Sequence, residues 1–457
     1  MHKLARLDRQ YVWHPFTQMR DWDRREPIVL VRGKGAVLED ANGNKYLDGN
    51  ASIWTNLHGH NHPRLNRAIE SQLSKVAHTS ALGLANEPAS LLAEKLVKAA
   101  GRPLRKVFYS DDGSTALEVA LKMAYEFARR TGHARSPRFL SLDGAYHGDT
   151  IGATSLGHID LFHKTYGGLL FKTDKAMSPT CYRCPFNRAK PERADARTTR
   201  KCNWECVGKV EAQLRRRKYA AMVVEPRVQG AAGMVMHPEG WLRRVAKSVR
   251  ESGALLIADE VMTGFGRAGE LFAGRKEKVT PDFLCLAKGL TGGYLPMGTT
   301  LTTQPVFEAF LGEYEEFKTF FHGHSYTGNQ LGAAAALASW ELLNQPKAKK
   351  RRKEMEKVLG RELNSLWPLA AVGDVRREGL MVGVELVADW KSRRAFPLKS
   401  QAGIRVCEAM TRRGVLTRPI GNVVPLLPPY CSTDAQLRRM VRALRESIVE
   451  VFGREKV

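Results

Sequence analysis

The chain has 457 residues and a formal net charge of +25, with 43% hydrophobic and 26% charged residues. That balance is globular and excludes disorder as the default state; no run reaches the roughly 18 apolar residues of a membrane span, and MHKLARLDRQ lacks the apolar stretch of a secretory leader, so a cytoplasmic protein is expected. The basic runs Arg215–Lys218 and Lys347–Lys353 lie far apart and carry no aromatics or nucleic-acid motif, so no nucleic-acid role is assigned, and an odd seven cysteines argue against a disulfide scaffold.

From the N-terminus, YVWHPFTQMRDW (11–22) concentrates aromatic surface at a chain end, with Trp13 and Pro15 expected to fix the segment. Residues 28–50 predict alternating strands around the turns NGN and DGN. His58, His60 and His62 (HGHNH) sit at spacing two in a Gly- and Pro-containing turn, a poor frame for metal. Lys106–Tyr109 predicts a short strand, and GSTALEVALKMAYEFARR predicts a helix with apolar spacing of three and four. Phe139–Leu142, Tyr219–Glu225, Ala254–Asp259, Phe283–Ala287 and Gly298–Thr303 read as further strands, several continuously apolar as in a sheet covered on both faces. An Ala-rich helix from about Ala334, a strand at Leu380–Leu386 and a closing helix from about Thr433 follow. The pattern is α/β. A large domain is expected over 61–335, and a smaller α+β domain from 1–60 and 336–457. Within the large domain lies an insertion at about 178–208, where Cys181, Cys184, Cys202 and Cys206 approach zinc-ribbon spacing. A polar, basic loop with incidental cysteines near the site mouth is the other reading, and no metal is assigned.

Four features point to one chemistry. Lys288 (CLAKGLTGG) directly follows an apolar strand, where desolvation favours a neutral amine able to form a Schiff base. The glycines beyond it permit close backbone approach. Asp259 ends the strand ALLIAD, where ligands of α/β sheets bind, and suits a protonated pyridine nitrogen. Gly113 and Ser114 open a helix and offer free amides and a hydroxyl to a phosphate. Tyr146 (GAYHGDT) offers a stacking face. Together they describe a site for pyridoxal 5'-phosphate (PLP).

ALLIADEVMTGFGRAGELFA and PDFLCLAKGLTGGYLPMG resemble the signature of class III aminotransferases of PLP fold type I. That resemblance implies a large domain with a mostly parallel central sheet flanked by helices, a smaller domain from both termini, and a homodimer with shared active sites. WHPFTQM, IWTNLHGHNHP, HGHSYTGN and LTRPIG are similar to the branch that aminates 8-amino-7-oxononanoate in biotin synthesis. It implies that Lys288 holds PLP and shuttles protons, Asp259 keeps the ring nitrogen protonated, and Gly113 and Ser114 bind phosphate. His324 and Ser325 would reach the phosphate of the neighbouring subunit. Tyr146 would stack and touch substrate, Arg418 would pair with the substrate carboxylate, and Gly323 and Trp54 would line the substrate site. Glu225 and Arg267 lie near this set without an assigned role. Three positions depart from the branch's S-adenosylmethionine-using members: Phe16 replaces Tyr, Ile53 replaces the first of two Trp, and His324-Ser325 replaces Pro-Thr. The first two resemble a subgroup that uses L-lysine, so the donor is S-adenosylmethionine by family default or lysine.

Overall fold

The continuous apolar runs assemble into a seven-stranded sheet. In the computed structural model, which describes residues 1–453, its order is Leu104–Ser110, Gly298–Thr303, Phe283–Leu286, Leu255–Asp259, Ala221–Val224, Phe139–Leu142 and Asp174–Ala176. Neighbours are parallel except for Gly298–Thr303, which runs antiparallel to both its partners. Phe139–Leu142 and Gly298–Thr303 have the expected bounds. The strand expected to run to Glu225 stops at Val224, because the Glu225 carboxylate folds back to accept the Gly230 amide at 2.8 Å. Asp174–Ala176, with only three residues, carries no periodic signal and escaped the sequence reading.

Helices cover the sheet. Gly113–Arg130 forms over the whole expected stretch, because Asp112 caps it: its carboxylate accepts from Thr115 N at 2.8 Å and Thr115 Oγ1 accepts from Asp112 N at 2.9 Å. Trp241–Glu251 buries Trp241, Leu242, Val245, Ala246 and Val249, an apolar stripe at helical spacing.

Outside this layer, Leu30–Lys34, Val37–Asp40 and Lys45–Asp48 form an antiparallel meander. The C-terminal strand Val415–Leu416 joins it, parallel to Lys45–Asp48, so both ends of the chain share a sheet. Val372–Glu378, Met381–Asp389, Arg394–Ala395 and Val423–Leu426 build a second small sheet. The Ala-rich helix starts at Gln330, earlier than expected, because the Asn329 side chain caps it. The last helix, Asp434–Phe452, starts where expected, on a capping box at Thr433. No described helix is long and apolar enough to cross a membrane.

Two expectations need correction. Trp13 is 87% exposed and fixes nothing within this chain. The aromatic segment is tied down by Asp8, whose carboxylate meets His14 Nε2 and Trp22 Nε1 at 3.0 and 3.1 Å. The insertion at 178–208 does not form the site mouth; none of the residues lining the central cavity comes from it. It is pinned to the second small sheet by Arg183–Glu385 and Arg197–Glu378 ion pairs and by Arg193 stacked on Trp390.

Candidate active site

A cavity of about 450 Å³ opens at the carboxyl ends of the parallel strands, within the range of small-molecule sites. Each strand delivers its own chemistry there. Lys288 follows Phe283–Leu286, Asp259 ends Leu255–Asp259, and Glu225 follows Ala221–Val224. Tyr146 and His147 come from the loop after Phe139–Leu142, and Gly113 and Ser114 from the helix after Leu104–Ser110.

Burial pushes the Lys288 amine below its ordinary value, opposed by the charges of Asp259 and Glu225. Its backbone is held at φ +44°, a strained geometry for a side-chain-bearing residue. Its Nζ lies 4.8 Å from the centre of the Trp54 ring. Asp259 does not pair with this lysine. Its Oδ2 meets His147 Nδ1 at 2.7 Å, and its Oδ1 accepts the Val261 amide at 3.1 Å. Burial alone would lower the His147 imidazole, but the hydrogen bond and charge of Asp259, with the charge of Glu225, raise it. The pair is a buried, hydrogen-bonded couple, and the other ring nitrogen, Nε2, has no hydrogen-bond partner among the described residues. Glu225 is buried beside them, and burial pushes it up to about 7.

Ser114 Oγ accepts the Asp149 amide at 3.0 Å, which leaves its own proton free to donate. Glycine is obligatory opposite it: a Cβ on Gly148 would stand 1.7 Å from Ser114 Oγ. Tyr146 donates to Asp149 at 2.8 Å, which fixes the ring at the cavity wall. These residues fit a group with an aldehyde, a ring nitrogen and a phosphate. Lys288 would meet the aldehyde, the Asp259 carboxylate would take the ring nitrogen, and the amides and hydroxyl of Gly113 and Ser114 would take the phosphate.

The glycines after Lys288 serve a second purpose. A Cβ on Gly293 would lie 2.7 Å from Asn56 N and Thr55 C, so the close approach is to backbone as well as to the cavity. That backbone belongs to an unusual turn. Ala51, Ser52, Ile53 and Trp54 all have positive φ, between 44° and 71°. Such left-handed geometry costs roughly 1–2 kcal/mol per residue, and none of the four is Gly or Asn. It places the Trp54 ring in the cavity and leaves Ile53 about half exposed.

The other expected residues are not among those lining the cavity. Phe16, also at positive φ, stands 5.2 Å ring to ring from Phe162, and Phe162 stands 6.3 Å from Tyr146. Arg418 donates to the Phe16 carbonyl. Phe162 gave no sequence signal, since a lone aromatic in a short helix has no periodicity. Gly323, His324 and Ser325 do not line the cavity of their own chain; His324 Nδ1 lies 3.3 Å from Asp111, and the Ser325 carbonyl accepts from His78. Arg267 is a brace: buried, it donates to the carbonyls of Pro428 and Asn56. The histidine tract divides its labour. His58 bonds Ser339, His60 meets Asp48, and His62 caps the helix Pro63–Leu73. Cys181, Cys184, Cys202 and Cys206 line one small cavity as free thiols. Among the described residues no group of three or more His, Cys, Asp or Glu side chains could hold a metal ion.

A cavity with a buried lysine amine at the carboxyl ends of a mostly parallel sheet suits an enzyme that binds a carbonyl compound. The family model for class III aminotransferases matches residues 19–448, and the chain belongs to that family. It is 45% identical to the adenosylmethionine-8-amino-7-oxononanoate aminotransferase of Geobacter sulfurreducens, over 98% of this chain and 97% of that one. The crystal structure of the enzyme of that name from Methanocaldococcus jannaschii superposes with a TM-score of 0.91 at 40% identity, covering 98% of both chains. A PLP-bound amine transaminase from an uncultivated Pseudomonas species superposes with a TM-score of 0.88 at 34% identity, over 96% of this chain and 98% of that one.

Proposed function

We propose that the cavity holds PLP at Lys288 and that the chain transfers an amino group to the ketone carbon of 8-amino-7-oxononanoate, in biotin synthesis. The observation that carries this reading is the meeting of the Lys288 amine, the His147–Asp259 pair and the amino end of helix Gly113–Arg130 on one cavity. When bound, PLP supplies an electron sink for the carbon that loses or gains the amine. The Asp259 carboxyl would face the ring nitrogen, and His147 holds that carboxyl oriented. Gly113 and Ser114 donate to the phosphate. Tyr146 gives an aromatic face, held by Asp149. The Lys288 amine, lowered by burial, takes a proton and returns it within the cavity.

At the rim, the Arg418 guanidinium offers a fork to the carboxylate of the oxononanoate. Phe16, Ile53 and Trp54 bound the substrate space in this reading, with Gly323 supplied by the neighbouring subunit. The small-molecule donor and acceptor use that space in turn. S-adenosylmethionine is the donor by family default, and lysine is the alternative raised by Phe16 and Ile53. A homodimer with shared sites belongs to the same proposal. Gly323, His324 and Ser325 are not among the residues lining their own chain's cavity, and the apolar side chains near them, Phe321 and Tyr326, are 69% and 61% exposed. The large domain is drawn at 61–335 and the small one at 1–60 and 336–457, supported by the shared sheet of the two termini. Free thiols throughout suit a cytoplasmic setting.

A second reading keeps Lys288 and Asp259 but takes another ω-amine, such as ornithine, 4-aminobutyrate or a diamine. The 34% identical amine transaminase of the same fold favours it. Purified enzyme incubated with the oxononanoate and each donor separately decides between them. 7,8-Diaminononanoate formed with either donor supports the proposal, and none formed with both overturns it. Lys288→Ala should lose the visible absorbance of bound PLP and all turnover.

A further inference from the structure

The left-handed turn Ala51–Trp54 needs a support that its own residues cannot give. Ile53 is β-branched, and a β-branched residue at positive φ is among the least tolerated cases. The support is a buried carboxylate. Asp48 Oδ1 accepts the amides of Ser52 and Asn50 at 3.0 and 3.3 Å, and its Oδ2 accepts the Ser52 hydroxyl at 2.9 Å. His60 Nε2 completes the set at 2.9 Å from Oδ2.

The proton on His60 is settled by its neighbours. The Gly59 amide donates to Asn56 Oδ1 at 2.7 Å, which orients that side-chain amide. Asn56 Nδ2 then faces His60 Nδ1 at 3.2 Å, so Nδ1 accepts and Nε2 carries the hydrogen toward Asp48. His60 is itself anchored. Its backbone exchanges two hydrogen bonds with Gly35, at 2.9 and 2.8 Å, and its Cβ packs where Gly33 has none. The far end of the turn holds Trp54, whose indole donates to Asn50 Oδ1 at 2.8 Å and whose ring covers the Lys288 amine.

We infer that Asp48 and His60 are positioning residues of the active site, acting through Ser52 to hold the strained turn that sets Trp54 over Lys288. The consequence for turnover rests on the site reading above; the clamp itself does not. The geometry explains why an Asp and a His far from the reacting atoms sit where they do, and it absorbs a histidine that looked like part of a metal tract.

Amide hydrogen exchange over residues 50–56 of the apoprotein tests the clamp without any activity. In His60→Ala, exchange at Ser52 and Trp54 should rise about 10-fold or more, while the central sheet is unchanged. His60→Gln, which keeps a donor, should stay near the native rate. If His60→Ala destabilises the whole protein, glycine decides. Ile53→Gly on the His60→Ala background removes the conformational penalty and should restore protection at Trp54. In the holoenzyme, His60→Ala should lower kcat about 10-fold with a small change in KM for the oxononanoate, and should shift the pH titration of the visible cofactor band. Native exchange rates in His60→Ala, or no restoration by Ile53→Gly, overturn the clamp. Lost protection in His60→Ala with full activity in Trp54→Ala would uphold the clamp and refute the site reading of Trp54.

Discussion

Glu225 offers a sharp test of the site's electrostatics. It is buried, and burial, helped by the charge of Asp259 and opposed by His147, pushes its carboxyl from 4.5 to about 7. A raised folded pKa means that the native state binds the proton more tightly than the unfolded chain. Stability from this group is therefore full at low pH, falls from about pH 4.5, and levels off above about pH 7. At about 1.4 kcal/mol per unit, the loss across that window is roughly 3 kcal/mol. Glu225→Gln cannot ionise, so it lacks that slope. Its replacement amide meets the Gly230 and Tyr146 amides that the carboxylate now serves, a cost that does not vary with pH. Glu260 is also pushed up to about 7 by burial, but it is common to both proteins and cancels in the difference. The assay is thermal unfolding of both apoproteins at pH 5 and pH 8. Unfolding entropy of roughly 2.1 cal/mol/K per residue gives about 1 kcal/mol/K for a chain of this length. The variant should thus gain about 3 °C on the native protein between the two pH values. A Tm difference that stays constant would show that Glu225 is already ionised at pH 5 and would refute this account of the cavity floor.

Ser114→Ala removes a donor to the phosphate while leaving the helix cap on Asp112 intact. A hydrogen bond to a charged group contributes about 1.5–3 kcal/mol, so PLP affinity by equilibrium dialysis should fall roughly 10- to 100-fold. Arg418→Ala should raise KM for the oxononanoate by a similar factor and leave kcat nearly unchanged in steady-state assays. Burial pushes the thiols of Cys181 and Cys206 up to about 12 and about 11. At pH 8 both should resist iodoacetamide in the native protein and react on unfolding, as read by peptide mass spectrometry.

What could be read from residues alone follows a physical line. Continuous apolar strands and a capped amphipathic helix carry their structure locally, and the sheet from Leu104–Ser110 to Gly298–Thr303 formed close to its expected bounds. The convergence of Lys288, Asp259 and Ser114 on one cavity was legible because each sits at a strand end or helix start, where the sequence marks the boundary. His147 stood one residue from the Tyr146 singled out and was passed over, since its function depends on meeting Asp259 112 residues away. Glu225 was seen but not placed, because only the fold shows that its side chain turns into the cavity instead of capping a strand. Phe162 came from a helix of four residues with no pattern to read.

The least legible element is the turn Ala51–Trp54. Nothing in Ala-Ser-Ile-Trp announces positive φ, since every local preference of those residues points the other way. The geometry is imposed from outside, by Asp48 and His60 on one side and by the glycine at 293 on the other. Strain of this kind persists only where surrounding structure over-determines it. Here the over-determination ends on the indole facing the reactive amine. Ile53 lies in the middle of that turn, about half exposed. A change of side chain there alters the rim of the substrate space without moving Trp54, because the clamp holds backbone at Ser52 and Asn50, not the Ile53 side chain. On the proposed function, donor choice would vary at Ile53, and with it Phe16, without moving Trp54 from over Lys288. Exchanging Ile53 for Trp should shift the ratio of turnover with S-adenosylmethionine to turnover with lysine, and leave the cofactor's visible band unchanged.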